Sequence, residues 1–135
     1  MDVANSMHEG WVEHGAVRLR HLDIAPPNGT GVALVIVPGL SEAAEDYLDL
    51  MTELAPRRCV AVSLRGRGRS TAPPTGYGLR DHVDDLAAAI AHLNPERFCL
   101  LGFPRGVSYA LPFALRHPPG LPGWLSSTTR PSTAA

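Results

Sequence analysis

The chain contains no lysine: all 12 of its basic residues are arginine. Together with 17 alanines, 13 glycines and 13 prolines, that bias points to a GC-rich coding sequence. An excess of either charge is also lacking. The net charge is -1, which leaves no long-range pull toward nucleic acid or acidic lipid. Cysteine is scarce. Cys59 and Cys99 each lie inside an apolar run, so they outline neither a disulfide framework nor a metal site. Two such thiols fit a reducing compartment, and the expected location is cytoplasmic. Long apolar runs are missing as well: the longest, Val32 to Val37, is far too short to span a bilayer. The opening MDVANSMHEG has no basic or apolar stretch and does not read as a signal peptide. Finally, no Asp or Glu follows Glu96 and no His follows His117.

What is present is ordinary for a globular protein: 44% hydrophobic and 19% charged residues over a length of 135, enough for one modest core. Gly10 to Asp23 reads as a hairpin with His14-Gly15 as its turn, and Val17, Leu19 and Leu22 alternating imperfectly with Arg18, Arg20 and His21. Val32 to Val37 is β-prone and apolar throughout, the pattern of a parallel strand covered on both faces. After Pro38-Gly39-Leu40, Ser41 is the expected N-cap of a helix with Tyr47, Leu50, Met51 and Leu54 on one face. Cys59 to Leu64 reads as a second buried strand, followed by the Gly/Arg loop Arg65 to Ser70. Leu79, Val83, Leu86, Ile90 and Leu93 then carry the clearest helical period in the chain. Phe98 to Leu101 forms a third strand, and a last apolar helix runs to about His117. Alternating strands and helices with short loops predict an α/β fold with a parallel sheet.

The order of motifs resembles the N-terminal half of the α/β-hydrolase superfamily. Val37-Pro38-Gly39-Leu40 is similar to the family's His-Gly-x loop, with Pro38 in place of the histidine. Leu64 to Ser70 resembles its Arg-Gly-x-Gly-x-Ser loop, and Phe98 to Gly106 its fifth strand and nucleophile elbow. Ala114 to Pro118 resembles the close of the next helix. The resemblance implies a truncated α/β-hydrolase-like sheet: an N-terminal hairpin, then three parallel strands with flanking helices. It places the Val32 strand between those of Cys59 and Cys99, leaving the thiols about 9–10 Å apart, too far to bridge. It also implies a serine hydrolase of small-molecule esters or related bonds, with a small-molecule substrate, no cofactor and no metal. The backbone N–H groups of Leu40 and Arg105 would hold the oxyanion, and Gly102 and Gly106 are the elbow glycines.

The elbow departs from its pattern where the chemistry occurs. Gly-x-Ser-x-Gly is here Gly102-Phe103-Pro104-Arg105-Gly106. Pro104 has no hydroxyl, and its ring holds φ near about -65°, away from the positive φ that an elbow nucleophile adopts. Ser108 falls inside the following helix, where it reads as a helix serine bonding its own backbone. With no later acid, and with His117 at the end of the following helix as the last histidine, the chain is expected to be catalytically inactive. Residues 1–117 then form the N-terminal half of the domain. Residues 118–135, of which 12 are Ser, Thr, Pro or Gly, read as a disordered, frameshifted tail. GC-rich codons for Gly120 to Ala135, read two bases along, permit an apolar strand ending in Asp. A fold of this type usually needs about 200–250 residues, and its third parallel strand would here be an open apolar edge, an aggregation hazard.

Blander readings compete with each sharper one. Arg65 to Arg69 lacks interleaved aromatics and reads as a loop at the rim of a site; nucleic-acid binding is not expected, nor is membrane binding. An anion-binding α/β domain using this loop, or a non-catalytic binding module, are the alternatives to a hydrolase. His82, Asp84 and Asp85 read as a solvated helix face, Trp11 as a packing residue, and Pro112 as a bend in the last helix. The sequence leaves oligomeric state open.

Overall fold

The computed structural model describes residues 7–25, 32–39, 41–95, 97–102 and 107–116. The expected hairpin is there, with strands β1 (Met7–His14) and β2 (Val17–Ile24) pairing antiparallel. Its turn is Gly15-Ala16, one residue later than expected, and Gly15 adopts φ +64°. Three further strands follow: β3 (Ala33–Val37), β4 (Cys59–Val62) and β5 (Phe98–Gly102). The helices are α1 (Leu48–Glu53), entered through a 3-10 turn at Ala44–Tyr47, α2 (Leu79–Leu93) and α3 (Val107–Arg116). The sheet order is β1-β2-β4-β3-β5, with β3 parallel to both β4 and β5 and β2 antiparallel to β4.

Leu34 of β3 is flanked by Cys59 on one side and Cys99 on the other. Two strand spacings, about 9–10 Å, therefore separate the thiols, and both are free.

Each face of the sheet carries a core, because the central strands are apolar on both sides. On one face Leu22, Ile24, Ile36, Cys59 and Ala61 pack with Ala44, Tyr47 and Met51. On the other, Val35, Val37, Phe98 and Leu100 pack with Val83, Leu86 and Ile90 of α2 and Tyr109 and Phe113 of α3. Fully burying a side chain such as Leu22, Ile24, Ile36 or Met51 contributes about 1.5–3 kcal/mol.

Local details differ from the sequence reading in three places. Ser41 is exposed and is not the cap; Ala43 occupies that position, and its N–H donates to the Asp46 carboxylate at 2.9 Å. The apolar stripe of α2 is rotated: Leu79 is 52% exposed, while His82, Val83, Asp85, Leu86, Ala89 and Ile90 are buried. His82 and Asp85 are thus interior, not part of a solvated face, because the loop before α2 delivers arginines to them. Asp84 alone stays partly exposed, paired to Arg116 at 2.6 Å. Asn94 closes α2 with φ 46° and ψ 54°, its N–H returning to the Ile90 carbonyl.

Among the described residues β5 pairs with β3 alone, which leaves its other side as the sheet edge. No helix among them is long and apolar enough to cross a membrane. The segment 118–135, expected to be a disordered tail, lies outside the described residues.

Candidate active site

The parallel strands end side by side. Val37 of β3 is in register with Gly102 of β5, and Ile36 with Ala61 of β4, so the three strands end together at one edge of the sheet. In an open α/β sheet this carboxyl edge is where ligands bind.

The loop after β3 is pinned from within. Gly39 N–H donates to Glu42 Oε1 at 2.7 Å, the Tyr47 hydroxyl donates to the same oxygen, and Glu42 N–H returns to the Gly39 carbonyl at 3.2 Å. Burial of Tyr47, reinforced by its bond to the Glu42 carboxylate, raises the hydroxyl pKa well above its ordinary value, so it remains a donor. Ala44 N–H, at the base of the same loop, donates to Ser63 Oγ at 2.7 Å, tying it to the chain leaving β4.

The loop after β4 is held by its arginines. Arg65 grips the fully buried Asp85 carboxylate through Nε at 2.6 Å and Nη2 at 2.8 Å, and its Nη1 donates to the Gly76 carbonyl at 2.6 Å. His14, at the tip of the hairpin, reaches the same carboxylate at 2.8 Å. Ser70 Oγ donates to the Ser63 carbonyl at 2.6 Å and accepts Arg20 N–H at 2.8 Å, laying the loop against β2. Gly68 is required at its position: φ is +53°, and a Cβ there would lie 2.7 Å from the Ala43 side chain.

Arg67 turns inward to His82 at 2.7 Å and to the Arg65 carbonyl at 3.0 Å. His82 is 2% exposed and stacks on Tyr109 of α3, with ring centroids 4.3 Å apart and planes inclined by 5°. Burial holds the His82 pKa below 6.5, and the Arg67 charge lowers it further against the opposing bond to Gly78. Arg69 is exposed, 5.6 Å from the Trp11 ring, which also carries Arg18 and Arg20 at 4.7 and 5.3 Å. Trp11 is therefore a half-buried platform for guanidinium groups. Among the described residues no group of three or more His, Cys, Asp or Glu is placed to hold a metal.

With this edge defined, a family model described as the alpha/beta hydrolase fold matches residues 32–132. The chain belongs to that family. The match runs on through position 132, past the helix end and into the segment read above as a tail. The 2-(acetamidomethylene)succinate hydrolase of Mesorhizobium japonicum is 31% identical over 91 residues, 67% of this chain and 33% of the relative. The soluble epoxide hydrolase of a Corynebacterium species is 30% identical over 87 residues, 64% of this chain and 30% of the relative. Among solved structures, Cfl2 from Burkholderia cenocepacia superposes with a TM-score of 0.76 at 26% identity. That superposition covers 92% of this chain and 42% of Cfl2. The chain spans about a third of the length of the curated relatives it matches.

Within this hydrolase fold the residues singled out by sequence fall unevenly. Gly102 is the buried last residue of β5, opposite Val37. Leu40, Pro104, Arg105 and Gly106 lie outside the described residues. Ser108 is the second residue of α3 and is exposed, as a helix serine. Sequence reasoning missed the Glu42–Tyr47 clamp, the His14–Asp85–Arg65 triple and the His82–Arg67–Tyr109 stack. The signals available were weak: charged residues at helical spacing after a loop rich in arginine, which reads equally well as surface.

Proposed function

We propose that this chain is the N-terminal part of an α/β-hydrolase catalytic domain, of serine-hydrolase ancestry, that is inactive as it stands. The observation that carries the reading is Pro104, two residues beyond Gly102 at the end of β5 and in the position of the elbow serine. Acyl transfer needs a hydroxyl there, a histidine to take its proton and an acid to orient that histidine. Proline supplies none of these, and an acid and base in the family's order would have to come from outside these 135 residues. The backbone N–H groups of Leu40 and Arg105 are assigned to the oxyanion site on the same reading. The Glu42–Tyr47 clamp supports this assignment because it engages the N–H of Gly39, the residue before Leu40 in sequence, elsewhere.

The ancestral substrate is a small molecule with an ester or related bond. Two relatives are named for hydrolysing an acetamidomethylene succinate and an epoxide, which supports hydrolysis of a small molecule without selecting the bond. The anion-binding alternative loses ground because Arg65 and Arg67 are committed to Asp85 and His82. No cofactor enters this reading, and residence in the cytoplasm belongs to the same proposal. The test is hydrolysis of p-nitrophenyl acetate by the purified chain. The expected result is no turnover above a heat-denatured control, in the parent and in Pro104→Ser alike. Turnover by the parent that is lost on denaturation would overturn the proposal.

A further inference from the structure

The His82 imidazole sits where the 65–78 loop, α2 and α3 meet, and both of its nitrogens are engaged. Nδ1 lies 2.9 Å from the Gly78 carbonyl, which can only accept, so Nδ1 carries the proton. Nε2 is left with a lone pair, to which Arg67 Nη1 donates at 2.7 Å. Arg65 and Arg67 face the ring from the loop, Tyr77 approaches it at 6.2 Å between centroids, Asp85 faces it from α2, and Tyr109 from α3. Asp85 is engaged by Arg65 and His14, which limits its ability to compensate a second positive charge.

We propose that His82 is a proton-operated latch on the 65–78 loop: a proton taken from solvent at Nε2 removes one acceptor of Arg67, sets two cations against each other and loosens the loop. The loop edges the site, so the latch couples acidity to the opening of that edge, whether or not the chain is catalytic. Because burial lowers the His82 pKa from 6.5, the closed state prefers the neutral ring. The closed state is fully favoured above pH 6.5 and is lost as pH falls from 6.5 toward the lowered value. His21 is also buried, with its pKa lowered by burial and by His92, against Asp23 and beside Arg20 and Arg58. It lies on β2 near the far end of α2, so its titration is separable by location.

The test is amide hydrogen exchange by mass spectrometry on the full chain at pH 7.5 and 5.5, corrected for intrinsic rates. Histidine C2-proton exchange on the same samples yields the pKa of each histidine. Protection across 65–78 should fall by up to about tenfold between the two conditions, set by the ordinary histidine pKa of the open state. His82 should titrate below 6.5. His82→Gln keeps one donor and one acceptor without titrating, and its loop should stay protected at both pH values. An unchanged loop in the parent, an equal fall in His82→Gln, or a His82 pKa of 6.5 or above would each overturn the latch. If His82→Gln does not fold, the two readings on the parent still decide.

Discussion

Replacing Asp85 by Asn tests the account of how the loop after β4 is held. The carboxylate is 0% exposed and takes both Arg65 bonds, at 2.6 and 2.8 Å, as well as the His14 contact at 2.8 Å. Asn keeps the shape but turns one oxygen into an amide donor facing a guanidinium, and leaves that guanidinium uncompensated. Arg65 cannot recover in solvent, because it is only 7% exposed. Its next carboxylate, that of Asp81, is 3.9 Å away and partly exposed to solvent. Breaking one side of a buried ion pair costs about 3–5 kcal/mol, a large share of the roughly 5–15 kcal/mol that stabilises a domain. For a chain of 135 residues each kcal/mol moves Tm by roughly 3–4 °C, so Tm should fall by about 10 °C or more. Urea melts of Asp85→Leu, Arg65→Met and the pair Arg65→Met/Asp85→Leu complete a cycle alongside Asp85→Asn. The apolar pair should be clearly more stable than either single variant, because it buries no charge. A loss below about 1 kcal/mol in Asp85→Asn, or a double variant no better than the summed singles, would refute the reasoning.

Further outcomes follow from the same contacts. Gly68→Ala should lose about 1–3 kcal/mol, since it combines a left-handed φ of +53° with a Cβ 2.7 Å from Ala43; stability equal to the parent in a urea melt would contradict this. Burial pushes the Cys59 thiol pKa up to about 11, so Cys59 should stay unmodified by iodoacetamide at pH 8 until denaturant is added. Intact mass under non-reducing conditions should show no Cys59–Cys99 bond; a loss of two hydrogens assigned to that pair would disprove the register around Leu34. Pro104→Ser alone should leave p-nitrophenyl acetate untouched, as stated above.

Much of the fold was legible because periodicity encodes burial. The runs at Val32, Cys59 and Phe98 have no polar alternation, which only strands covered on both faces tolerate, and those strands form as β3, β4 and β5. The α2 helix was legible for a similar reason, yet its face was read one position off. Periodicity counted Leu79 as inside and His82 and Asp85 as outside. A polar side chain is buried when a partner reaches it, and these partners come from positions 14, 65 and 67, distant in sequence. Ser41 misled for the converse reason: its chemistry suits an N-cap, but the helical turn begins later, where Asp46 can bond Ala43 N–H.

The sequence by itself determined the class of fold, the absence of a hydroxyl at position 104 and the lack of any acid beyond Glu96, because these depend on which atoms each residue carries. Only the tertiary structure decided what the charged residues near the site do. The arginines of the 65–69 loop look like a basic, exposed segment in the linear chain. Folding closes that loop onto α2 and the hairpin, where water no longer screens the charges and each must find a specific partner. Arg65 therefore became an interior strut on Asp85, Arg67 a half-buried one on His82, and Arg69 stayed exposed.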